Sequence, residues 1–256
     1  MDELVHYAVA GGVATVTLDS PHNRNALSGQ LMGELLAGVQ RAVADGAVRV
    51  IVLSHAGRVF CSGADLKETA AATGGDIPVA TLPAILTALW ESPKPVLARV
   101  AGPARAGGLG LIGAADLAVA AEDATFAFTE VRLGVIPAVI SATVLPRLAP
   151  RAATELVLTG EVFDGRRAAE IGLVTAAVPG GELDAEVERY AGLLLRGAPG
   201  ALAGAKELLR RPASGSLADD LADLSSLSVR YFTGPEGREG VRAFAEKRDP
   251  AWVPKD

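Results

Sequence analysis

At 256 residues, half of them hydrophobic and 21% charged, the chain is long enough for one large globular domain or a domain with an appendage. A formal net charge of -6, with no basic run longer than a pair such as Arg166-Arg167, gives no electrostatic footprint for nucleic acid or an anionic membrane surface. The single cysteine, Cys61, excludes an intrachain disulfide and a multi-thiolate metal site, and no apolar run approaches the roughly 20 residues that span a bilayer.

The opening MDELVHYAV is acidic and lacks a basic-then-apolar leader, so a reducing, cytoplasmic setting is expected. Val13 to Leu18 is rich in β-formers, and Ser28 is a plausible N-cap for a helix running to about Ala44. Val48 to Leu53 reads as a buried strand. Gly74 and Gly75 make 70–77 an expected loop. Pro95 to Val100 and Leu117 to Ala120 are further strands, separated by a glycine-rich segment. This alternation predicts an α/β core with crossover connections. The second half predicts helices at Ala149 to Thr159, Gly165 to Ile171, Leu183 to Leu195, Ala198 to Leu209 and Leu217 to Tyr231, hence a helical appendage after the core.

The segment Ala104 to Asp116, ARAGGLGLIGAAD, contains Gly108-Leu-Gly110-Leu-Ile-Gly113, the spacing of a dinucleotide fingerprint, with Glu130 at about the distance of a ribose-binding acid. That fingerprint also needs a strand ending at its first glycine and an acid at the tip of the next strand. Here Ala101 to Gly107 intervenes as a loop, and the next strand ends well before Glu130, so a nicotinamide or flavin site is a poor fit. Helix packing accounts for Gly110 and Gly113. Gly107 and Gly108 fall at a loop-to-helix junction, where bare backbone allows a ligand to approach and where unpaired N–H groups and the positive helix end stabilise negative charge.

The ordered set Phe60-Cys-Ser-Gly-Ala-Asp-Leu-Lys67, Lys94-Pro-Val-Leu-Ala, Gly107-Gly108, Phe126 to Glu130 (FAFTE), Leu133-Gly-Val-Ile-Pro137 and Leu158-Thr-Gly160 resembles the crotonase superfamily of enoyl-CoA hydratases and isomerases. The likeness runs from about Leu18 to Trp252. It implies a repeated ββα spiral core, placed at 1–195, and a C-terminal helical region, 196–256, that mediates homotrimers or hexamers made of two trimers. It also implies an acyl-CoA substrate whose thioester enolate is held between the amides of Ala64 and Gly107. Ala64, Asp65, Leu66, Lys67 and Gly107 are then the expected CoA contacts. No cofactor beyond the CoA of the substrate is implied, and no metal. Cys61 is expected to be a small core residue rather than a thiolate. His6, His22 and His55 show no metal-ligand spacing and receive no role.

The resemblance aligns Glu130 with a catalytic acid/base. A carboxylate between Phe128 and Leu133 is expected in apolar surroundings that raise its pKa. The other acid of family hydratases falls on Gly110, so half of the usual pair is missing. One carboxylate is enough to move a proton between C2 and C4, the chemistry of the 3-enoyl to 2-enoyl isomerases. The run from Gly108 through Thr129 to Ser141 is instead similar to hydratases grouped with methylglutaconyl-type substrates, which inclines the reading to hydration. A non-catalytic acyl-CoA-binding relative is the third alternative. Installing the acid with Gly110→Glu is expected to raise hydration if the helix tolerates it. Arg105 stays open between pairing with a substrate carboxylate and a solvated loop arginine.

Overall fold

The computed structural model describes residues 2–71, 81–213 and 215–254, and the expected loop at 70–77 lies outside these from 72 onward. Strands β1 (Val5–Ala10) and β2 (Val13–Leu18) form an antiparallel hairpin closed by Gly11 and Gly12, both at positive φ as a two-residue hairpin turn requires. Ser28 caps α1 (Gly29–Ala44) by accepting the Leu31 N–H at 3.3 Å. Strand β3 (Val50–His55) follows, two residues later than its predicted start, and is buried along its whole length as expected of an interior parallel strand.

Two short helices, α2 (Leu66–Ala71) and α3 (Leu82–Trp90), precede β4 (Val96–Val100). A two-residue strand, β5 (Ala104–Arg105), then leads into α4 (Gly107–Ala114) and β6 (Leu117–Ala121). Strand β7 (Thr125–Ala127), helices α5 (Ala138–Val144) and α6 (Pro150–Thr159), strand β8 (Phe163–Asp164), helix α7 (Gly165–Glu170) and strand β9 (Ala176–Val178) complete the core. The main sheet has the order β1-β2-β3-β4-β6-β9 and is parallel from β2 onward. A second sheet, β5-β7-β8, stands apart from it.

Helix α8 (Leu183–Leu195) packs on the main sheet within the core span, and α9 (Pro199–Arg210), α10 (Leu217–Thr233) and α11 (Pro235–Glu246) make the C-terminal region. The expected α/β core with helices after it is therefore the architecture observed, with α8 starting and ending at the predicted residues. Elements without a counterpart among the expected ones are β1, α2, α3, α5, α11 and the short strands β5, β7, β8 and β9.

Every residue of α4 is buried, so it is a helix that is apolar all round and packed between α3 and α5. Its C-terminal end is clamped. Arg147 donates to the Gly113 and Ala115 carbonyls at 3.1 and 3.0 Å. Asp116, next after the cap, takes Arg210 at 3.0 Å, Lys206 and the Val96 N–H. Both guanidiniums also lie over the Trp90 ring. This clamp fixes the helix whose other end opens the site.

Candidate active site

The entry into α4 is strained. Ala106 sits at φ 45 and ψ -116, a conformation that costs a residue with a Cβ of the order of 1–3 kcal/mol. That turn is held by the ladder of β5, where the Arg105 N–H donates to the Cys61 carbonyl at 2.9 Å, and it leaves the Gly107 N–H without a hydrogen-bond partner among the described residues. Gly107 itself has no room for a side chain, because a Cβ there would lie 2.5 Å from Leu27 Cδ1.

A second turn faces the first. Gly63 adopts φ +91, and a Cβ on it would lie 2.9 Å from the Ala106 Cβ, so the two backbones are in close contact. Its carbonyl accepts the Leu27 N–H at 2.8 Å, and the Ala64 N–H that follows donates to no group among the described residues. Two unspent amides, Ala64 and Gly107, thus line one cavity.

Glu130 lines the same cavity, of about 200 Å³. It begins a single 3-10 turn, Glu130–Leu133, closed by Gly134 in the left-handed region with its N–H on the Glu130 carbonyl. The residue is 8% exposed, and its buried Oε2 has no partner among the described residues. Burial raises its pKa above the ordinary carboxylate value, partly offset by its own backbone N–H. The apolar surroundings are not the expected ones: Leu133 is turned to solvent, and the wall comes instead from Leu27, Leu82, Val135, Ile136 and Ile140.

Ala64 also lines another cavity, of about 470 Å³, whose walls add charged side chains, Arg24, Asp65, Lys67 and Arg105, to apolar ones such as Leu66. Asp65 and Lys67 are thus brought beside Ala64, with the Asp65 Oδ1 accepting the Lys67 N–H at 2.9 Å as the cap of α2. Arg24 was missed by sequence reasoning. It sits in the left-handed region at φ 60, followed by Asn25 at φ 52. The buried Asn25 side chain fixes this loop by accepting the Ser20 N–H at 2.7 Å and donating to the Ala56 and Val59 carbonyls. The available signal was the run Asn23-Arg24-Asn25, since asparagine tolerates that conformation better than most residues.

Three sequence expectations change. Arg105 is neither a solvated arginine nor free to meet a carboxylate, because its guanidinium donates to the Ala104 and Thr125 carbonyls and to Thr125 Oγ1, tying β5 to β7. Gly108 makes room for the protein, not the substrate: a Cβ there would lie 2.9 Å from both the Cys61 Cβ and carbonyl oxygen. Gly110 is not an empty place waiting for an acid. A Cβ there would lie 2.5 Å from Ile140 Cγ2 and 3.6 Å from Leu86 Cδ1, so Gly110→Glu alone collides with α5. Cys61 is fully buried, with burial pushing its thiol up to about 12, which leaves it no thiolate character.

The enoyl-CoA hydratase/isomerase family model matches residues 8–255. A crystal structure of an enoyl-CoA hydratase from Mycobacterium avium is 45% identical, with a TM-score of 0.74 over 98% of this chain and 100% of that one. An enoyl-CoA hydratase structure from Mycobacterium smegmatis is 32% identical, with a TM-score of 0.90 over 98% and 99%. Carnitinyl-CoA dehydratase of Proteus mirabilis is 32% identical over 262 residues, covering 98% of this chain and 99% of the relative.

Proposed function

This chain belongs to the enoyl-CoA hydratase/isomerase family, and we propose that it hydrates a 2-enoyl-CoA thioester with Glu130 as its acid/base. The observation that carries the reading is the cavity in which the unpartnered Oε2 of Glu130 is buried alongside Ala64 and Gly107, two residues whose N–H groups are unspent. The thioester lies across Ala64, with its acyl group in the apolar cavity and its CoA over the neighbouring one, where Arg24 and Lys67 supply positive charge.

In this mechanism Glu130 takes a proton from water as the oxygen bonds to C3. The C2–C3 π electrons move through the carbonyl onto the thioester oxygen. The Ala64 and Gly107 amides donate to that oxygen, and each such donor is worth about 3–4 kcal/mol where measured. Glu130 then returns its proton to C2, and the enolate collapses to the 3-hydroxyacyl thioester. A carboxyl with a raised pKa suits both halves, because proton transfer is most effective near the operating pH.

A second reading is isomerisation, in which Glu130 takes a proton from C2 of a 3-enoyl thioester and returns it at C4. The apolar contact of Ile140 with Gly110 favours it, since no second carboxylate stands there to hold water. Panels of 2-enoyl- and 3-enoyl-CoA followed by mass separate the two: hydration adds the mass of water, and isomerisation changes retention without changing mass. Absence of either product with tight thioester binding would leave a binding protein without chemistry.

A homotrimer or hexamer is part of the same proposal. It is supported by Leu221, Val229, Phe232 and Phe244, large apolar side chains exposed on α10 and α11. Sedimentation equilibrium tests it, and a monomer would exclude it. Among the described residues no helix is long and apolar enough to cross a membrane.

A further inference from the structure

Beyond the acyl cavity lies a second one, of about 220 Å³, between the same two helices. Leu82 of α3 and Ile140 of α5 line the first, while Leu86, Ala142 and Thr143 line the second; Val139 borders both. Residues three or four apart on a helix share a face, so the cavities are successive compartments of one α3–α5 groove. What divides them is a pair of buried side chains. Ile140 Cγ2 and Leu86 Cδ1 are both close to the place a Cβ on Gly110 would take, so they come together over the bare backbone of that glycine.

We propose that the Ile140–Leu86 partition over Gly110 sets the acyl-chain length this protein accepts, and that the compartment behind it is an alkyl-chain extension closed off from the acyl cavity in the native chain. Ile140 is β-branched and stiff at χ1, with a wall of α4 behind it, so it does not swing aside for a longer chain. This compartment, itself open to the surface, has apolar walls in Leu86, Val139 and Ala142 and carries Glu91 at its Trp90 end, so it suits an alkyl tail and repels a terminal carboxylate. The inference rests on the acyl-CoA reading above and deepens it.

The test needs no turnover. Affinities of saturated thioesters from butanoyl-CoA to dodecanoyl-CoA are measured by calorimetry for the native protein, Ile140→Ala, Leu86→Ala and Ile140→Val. Each methylene buried is worth about four-fold in affinity, the equivalent of about 0.8 kcal/mol. The native protein should gain with length and then stop. In Ile140→Ala, and independently in Leu86→Ala from the other helix, the stopping point should move out by about two methylenes, making the longer thioester bind about 15-fold tighter, and in Leu86→Ala, whose side chain does not line the acyl cavity, butanoyl-CoA should change less than about three-fold. Ile140→Val, which loses one methylene and keeps the fold, should move it in the same direction by a smaller step. Folded variants with the native stopping point, or with a uniform loss at every length, would overturn the partition alone. A native protein that binds no thioester of any length would overturn the acyl-CoA reading and the partition with it.

Discussion

Gly110 and Ile140 should be energetically coupled, and the structure gives the size of the coupling. In Gly110→Ala the new Cβ arrives 2.5 Å from Ile140 Cγ2 and 3.0 Å from its Cβ. Overpacking of this kind costs about 1–3 kcal/mol, set against about 1 kcal/mol gained by replacing glycine inside a helix. The single variant should lose about 0–2 kcal/mol. Ile140→Ala alone leaves a void beneath a side chain that is 3% exposed and should lose about 2–5 kcal/mol. In the double variant the methyl added at position 110 enters the space that Ile140 vacates, so the losses should fall short of their sum by about 1–3 kcal/mol. Thermal unfolding at one fixed protein concentration reads this, at about 2–4 °C per kcal/mol for a chain of this size. Additivity within about 0.5 kcal/mol would show that the two residues do not compete for the same volume, and would refute the contact on which the chain-length inference also stands.

Glu130→Gln should abolish turnover while retaining thioester binding, checked by steady-state rates and calorimetry. Because burial raises the Glu130 pKa, its contribution to stability is complete below the unfolded pKa and is lost as pH rises, so the Gln variant should melt above the native protein at pH 8 and lose that advantage toward pH 4; the opposite trend would contradict the buried carboxyl. His55 is 6% exposed, accepts the Ala101 N–H at 3.0 Å through Nε2, and is pushed by burial down to about 4. Stability should therefore fall by about 3 kcal/mol as pH drops from 6.5 toward 4, a loss that urea titrations should find reduced in His55→Gln. Ala106→Gly should relieve the strained turn and stabilise by about 1 kcal/mol after the unfolded-state entropy is counted, and a lower melting temperature would speak against strain at that residue.

Much of the frame was legible because it rests on local signals. The Ser28 cap, the apolar run at β3 and the helix α8 are written in short patterns that tertiary context did not override. β1 was passed over because His6 and Tyr7 among exposed positions dilute its alternation, and α11 because its apolar face is thin and largely solvent-facing. At the site, Ala64, Gly107 and Glu130 were named from the ordered motifs, and the structure brings all three to one cavity. What could not be read was which residues face each other across sequence distance. Arg105 looked free because Thr125, its partner, is 20 residues away, and Gly110 looked vacant because Ile140, which fills the space beside it, is on another helix.

The places where local rules are broken converge on one point. Ala106 occupies a backbone conformation that favours glycine, and among the described residues Glu130 buries a polar atom without a partner and Ala64 and Gly107 keep their amides unspent. Each of these costs stability, and each is tolerated because the surroundings are over-determined. The Arg147 and Asp116 contacts clamp the far end of α4, β5 is tied to Cys61 and to Thr125, and Asn25 fixes the loop carrying Arg24. A folding requirement alone would have placed glycine at 106 and an apolar residue at 130. The retention of strain beside an unpaired acid, on a helix held rigid at its other end, is what a surface prepared for a developing negative charge requires.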